Sequence, residues 1–246
     1  MKPLLTALSF ALVTALPLAA PSPAPAQVFI PGEDDTITIE RAPRDPLAAC
    51  LLNADSQNCA AAALSTQNES GGMVFESTAD IAYETLVLDL DEGKVTKTDA
   101  PPPAPVDYAE PKPKDHGRVA LPSVAITIEF DYNSHLVRGD QRGKLASLIK
   151  AMQDPALQGA QYAVIGHTDA KGSFAYNCDL SRRRAAEVTR ALEANYVLTP
   201  LYPVGFGEYV LKDAAYPDAA ANRRVTFLRL PDHAGEVLRT AQSVCG

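Results

Sequence analysis

The sequence predicts an α/β (α+β) fold over its second half: a βαβαββ sandwich with helices packed on one sheet. Three observations carry this. Ile126, Ile128 and Phe130 alternate with Thr127 and Glu129, the two-residue period of a half-buried strand. Leu145, Leu148, Ile149 and Met152 fall at i, i+3, i+4 and i+7, the period of an amphipathic helix. Tyr162-Ala163-Val164-Ile165 is a short apolar run that fits a buried strand. Consecutive strands separated by helices need crossover connections, which lay the helices against the sheet.

The elements follow in order from about Leu121. The first strand leads into the helix around 145–152, and the run at 162–165 is the second strand. A second helix covers roughly 174–195, with Ala185, Val188, Thr189 and Leu192 on its inner face and Ser173, after Gly172, as its N-cap. A strand near 202–206 and a last one at 224–230, RVTFLRL, complete the set. The domain is placed at 119–232, with 233–246 as a C-terminal tail, an ordinary size for one domain.

Upstream, Lys2, the uncharged apolar run 4–20 and Ala24-Pro25-Ala26 have the layout of a secretory signal peptide over 1–26. The run is at the short edge of a membrane span, and Pro17 with the small-x-small site favours cleavage, so the mature chain is expected to begin at Gln27. Leu47-Ala48-Ala49-Cys50 looks like a lipid-attachment site, but the charged stretch 33–45 separates it from the apolar run; Cys50 is read as a disulfide cysteine. Residues 27–100 form an N-terminal segment of undefined fold, in which DTITIE and ETLVLDL look like strands and 46–66 looks helical. Residues 101–118, PPPAPVDYAEPKPKDHGR, hold six prolines and read as a semi-rigid linker.

The four cysteines allow three pairings, of which Cys50–Cys59 with Cys178–Cys245 is the most local. No His lies at ligand spacing from a cysteine pair, so structural disulfides in an oxidising compartment are preferred over metal. With 30 acidic against 22 basic residues and a formal charge of −8, the chain lacks the basic footprint of a nucleic-acid binder or of a protein held on anionic lipid.

Chemistry concentrates in GHTDAKGSFAYNCDLSRRRAAEV, residues 166–188. Asp169 falls just past the second strand, on a loop entering a helix, where α/β sheets hold ligands. At roughly 100° per residue, Arg184 lies about 20° from Asn177 on that helix, while Arg182 and Arg183 turn away from it. Ser181 sits near the same stripe. A carboxylate and a guanidinium across one pocket suit a zwitterion, with Arg gripping its carboxylate and Asp its ammonium. The competing reading is a structural Asp169–Arg184 pair.

Phe130-Asp131, the run 166–188, Gly205-Phe206-Gly207-Glu208 and Asn222-Arg223-Arg224-Val225 together resemble the OmpA-like peptidoglycan-binding domain. That family is shared by outer membrane protein A, the peptidoglycan-associated lipoprotein and the flagellar motor stator protein B. The resemblance covers roughly 122–231 and implies non-covalent binding of peptidoglycan through the diaminopimelate of its stem peptide, without a cofactor. It implies Asp169 and Arg184 as the residues touching diaminopimelate, and carries Thr168, Asn177, Asn222 and Arg223 into the same site. No eight-strand alternation precedes the domain, so a membrane barrel is not expected, and no cysteine follows the signal directly, so a lipid anchor is not expected either. The resemblance places the protein in the periplasm, on peptidoglycan and against the outer membrane of a Gram-negative cell.

Enzyme readings are weaker. His167 and Asp169 form an H-x-D without a visible third metal ligand. Ser181 lies inside a helix and lacks the strained elbow of a hydrolase nucleophile. Gly205-Phe206-Gly207 lacks the third glycine of a dinucleotide loop. The alternatives to wall binding are therefore a protein–protein adaptor, using residues 27–100 on an envelope partner, and a cell-wall hydrolase.

Overall fold

A computed structural model describes residues 42–65, 80–102, 106–109, 117–131 and 133–246. The signal-peptide reading, the DTITIE strand and most of the proline-rich stretch lie outside those residues.

The described chain folds as α1 (Pro46–Leu52), α2 (Ser56–Ser65), β1 (Ile81–Asp89), β2 (Lys94–Thr98), β3 (Arg118–Ile126), α3 (Arg142–Met152), β4 (Gln161–His167), α4 (Phe174–Ala194), β5 (Leu201–Gly207), β6 (Val225–Leu230) and α5 (Gly235–Ser243). All six strands join one sheet in the order β2-β1-β3-β6-β4-β5. Strand β6 runs antiparallel to both β3 and β4, so β3, β4 and β5 point the same way. The crossovers through α3 and α4 follow from that shared direction.

The βαβαββ order holds from β3 to β6, with one correction. The first strand ends at Ile126: residues 127–129 leave the ladder and Phe130 makes an isolated bridge to Val137. The alternation in 126–130 therefore marks the exit of a strand and not its middle. Alternate residues of β4 point to opposite sides, Tyr162 and Val164 toward α1–α4, Ala163 and Ile165 toward α5. Helices thus cover both faces, because the expected tail contains α5, whose Val237 and Ala241 pack on the second side.

The segment expected to stand apart before a linker is part of the same body. β1 pairs with β3 over nine residues, from Ile81↔Ile126 to Asp89↔Arg118. The proline-rich stretch is consequently the connection from β2 to β3 within one sheet. Its described part is docked: the Tyr108 ring lies 3.9 Å from the Arg229 guanidinium, and Asp232 N–H donates to the Tyr108 carbonyl. Helix α1 starts where Asp45 accepts from Leu47 N–H and Ala48 N–H, with Pro46 opening the first turn. It is tied down by the Asp154 carboxylate, which accepts from Arg44 N–H and Asp45 N–H, and by Tyr162 Oη, which donates to the Leu51 carbonyl. Disulfides join Cys50 to Cys59 across α1 and α2, and Cys178 on α4 to Cys245 after α5.

Two glycines set how closely α4 lies on the sheet. A Cβ on Gly166 would stand 2.0 Å from the Ser181 carbonyl oxygen, and one on Gly205 would stand 2.6 Å from Ser181 Oγ. Without those carbons, Ser181 reaches the sheet, accepting from Gly207 N–H and donating to the Cys178 carbonyl. This contact fixes the depth of α4, and with it the place of Asn177 and Arg184.

Candidate functional site

A pocket of about 340 Å³ opens where β4 ends and α4 begins. Phe130, Asn133, Thr168, Asp169, Lys171, Gly172, Tyr176, Asn177, Leu180, Arg184 and Arg223 line it. Ser173 caps α4 by accepting from Tyr176 N–H. Asn177 is then the first inward polar residue, and its amide donates to the Asp169 carbonyl at 3.3 Å, bracing the bend.

Arg184 comes into the pocket two turns further along α4. It is only 3% exposed, so its place is the pocket floor and not a solvent-facing wall. Its Nε donates to the Ser134 carbonyl at 3.1 Å, and its guanidinium carbon lies 4.8 Å from the centre of the Phe130 ring. Among the described residues no carboxylate pairs with it. Burial, reinforced by the nearby Arg223 cation, pulls its pKa down to about 10, which leaves it charged at neutral pH.

Asp169 does not form the alternative structural pair with Arg184. Its Oδ2 accepts from Arg223 Nη1 at 2.9 Å, and its Oδ1 accepts from Lys171 N–H at 3.3 Å. Thr168 is buried in the same wall; its N–H donates to the Gly207 carbonyl, while its hydroxyl has no partner among the described residues. Tyr176 and Asn133 close one rim by a hydrogen bond from the phenol to the amide oxygen.

Asn222, grouped with the binding residues in the sequence, does not line the pocket. It is fully buried, and its amide nitrogen donates to the carbonyls of Asp213, Tyr216 and Pro217, while its oxygen accepts from Asp213 N–H. Its work is to fold the 213–222 loop, whose Pro217 carbonyl in turn accepts from Ala170 N–H beside Asp169. Arg182 and Arg183 are exposed; Arg182 donates to the Cys245 carbonyl and Arg183 pairs with Asp179. His167 is fully buried and does not line the pocket; it lies edge-on to Phe206, with Nε2 beside Thr226 Oγ1.

Sequence reasoning did not anticipate three features. Phe130 under Arg184 and the Asp169–Arg223 pair depend on contacts between distant segments. The third was open to view, since Lys171 sits two residues after Asp169 in the bend itself.

Residues 129–225 match the OmpA family. The chain is 36% identical over 106 residues to outer membrane porin F of Pseudomonas fluorescens, covering 42% of this chain and 32% of the porin. It thus spans about a third of the length of that curated relative. Among solved structures it is similar to the peptidoglycan-associated lipoprotein of Burkholderia pseudomallei, with 25% identity, 42% of this chain and 87% of that one covered, and a TM-score of 0.36. It is also similar to the periplasmic domain of Helicobacter pylori MotB, with 18% identity, 46% and 82% covered, and a TM-score of 0.37. The pocket and every motif that forms it fall inside the span that matches the OmpA family.

Proposed function

We propose that this domain holds peptidoglycan non-covalently by the diaminopimelate of its stem peptide and so anchors the cell envelope to the wall from the periplasm, beside the outer membrane. The observation that carries the reading is Arg184: a buried guanidinium with no carboxylate partner among the described residues, lining the same pocket as Asp169. An unneutralised buried cation is costly, and a ligand carboxylate gripped bidentately removes that cost. Asp169 has lone pairs left after Arg223 and the Lys171 N–H are served, and these accept the ligand ammonium. The Thr168 hydroxyl supplies a further polar contact, and Tyr176 with Leu180 flanks the methylenes between the two ends. The match of residues 129–225 to the OmpA family supports the same reading, and the name of the porin relative supports its outer-membrane setting.

Retention of the protein on insoluble sacculi, with free diaminopimelate as competitor, tests this. Asp169→Ala and Arg184→Ala each remove one partner of a charged contact, a loss of about 2–5 kcal/mol that abolishes retention, while the exposed Arg182→Ala keeps it. Arg184→Ala also strips a buried contact with Phe130, so retention is read only below each variant's melting temperature. Unchanged retention by both pocket variants would overturn the proposal; release of soluble muropeptides by the wild type would favour the hydrolase instead.

A further inference from the structure

The pocket's charges do not balance. Lys171, Arg184 and Arg223 line it against one carboxylate, Asp169, which is already paired with Arg223. Arg184 and Lys171 are left over. Lys171 is exposed on the rim, and among the described residues no carboxylate pairs with its ammonium. A single zwitterion adds no net charge: its carboxylate goes to Arg184 and its ammonium to Asp169, and Lys171 still faces an empty rim.

We infer that Lys171 takes a second carboxylate of the stem peptide, so the site selects stems in which that carboxylate is free over stems in which it is amidated. This rests on the peptidoglycan reading. Two stem groups have the required chemistry: the α-carboxylate of the D-glutamate, and, where the stem ends at diaminopimelate, the carboxylate of that residue at the centre joined to glutamate. Both lie along the stem from the zwitterionic end, on the side that leaves the pocket. The backbone places Lys171 to meet them, because its own N–H is held by Asp169 Oδ1 and its side chain starts from the lip of the bend.

The test titrates the full chain with three synthetic tripeptides: L-alanyl-γ-D-glutamyl-meso-diaminopimelate, its amide at the D-glutamate α-carboxylate, and its amide at the glutamate-linked carboxylate of diaminopimelate. The wild type should bind the parent about fivefold more tightly than one of the two amides, the scale of a rim ion pair. That amide identifies the source of the carboxylate. Lys171→Met should bind all three alike, at the weaker affinity, and Lys171→Arg should restore the preference. A preference that survives unchanged in Lys171→Met, or a wild type that does not discriminate, overturns the inference. If the wild type binds none of the three, the peptidoglycan reading falls and takes this one with it.

Discussion

Arg224 is among the largest side chains wholly withdrawn from water in the described residues, and it sits next in sequence to the Arg223 that steadies Asp169. Its charge is met by Glu84, 2% exposed, at 3.2 Å to both carboxylate oxygens. Thr226 Oγ1 donates to the same carboxylate and lies 3.1 Å from His167 Nε2. Burial first, and then the Arg224 cation, holds the His167 pKa well below the ordinary imidazole value. The unfolded chain takes up that proton as the pH falls through about 6.5, while the folded protein does not until lower pH. Stability is therefore full above about pH 6.5 and drains as the pH falls toward the folded pKa, by up to about 1.4 kcal/mol per pH unit. Urea denaturation of His167→Gln between pH 7 and 5 should show a flatter slope than the wild type; equal slopes would place the acid sensitivity elsewhere. Asp169 and Arg184 were legible in the sequence because a bend and a helical period are local patterns. The Glu84–Arg224 pair was not, since its members stand 140 residues apart and only the sheet brings them together.

Among the elements, α4 lines the most of the pocket, and its seat on the sheet is made by what is missing at Gly166. A methyl group there would meet the Ser181 carbonyl at 2.0 Å, and that atom belongs to helix backbone that cannot swing aside. Gly166→Ala should therefore lift α4, destabilising the fold by about 1–3 kcal/mol. Because Arg184 rides on α4, sacculus binding should weaken more than the stability loss explains. Thermal melts and sacculus retention, measured on the same preparation, separate the two effects; a variant with wild-type values for both would show that the helix had room to spare. Helices α3 and α4 and strands β4, β5 and β6 were readable from apolar spacing and, for α4, from the Ser173 cap. β3 was misplaced because it is buried on both faces from Leu121 to Ile126, which hides its alternation, and the visible alternation belongs to the exit. Helix α5 escaped because its short buried stripe, Val237, Thr240 and Ala241, stands in a stretch where polar residues dominate.

At the scale of the molecule, the family match ends at Val225, at the very start of β6, and begins after β3 has closed. Helices α1 and α2, strands β1 to β3, most of β6 and α5 all lie beyond it, yet they share one compact unit with the pocket. Composition suggested a linker at 101–118 because prolines are common in linkers; a connection that crosses from an edge strand to an inner one has the same composition. Ending the chain at residue 224 would remove β6 and α5 and leave β3 and β4 without the strand between them. Such a chain should lose its cooperative melting transition altogether, as followed by circular dichroism, and a retained sharp transition would mean that the two halves of the sheet close on each other.

The place of β6 also sets an order of events. Strand β6 follows the other described strands in the chain yet is a middle strand of the sheet, so a growing chain first holds two unfinished pieces, β2-β1-β3 and β4-β5, each with an open edge. The Glu84 carboxylate waits for its arginine through the same interval, and Cys178 waits for Cys245. One strand, sliding into a gap flanked on both sides, then joins the two pieces and completes the sheet.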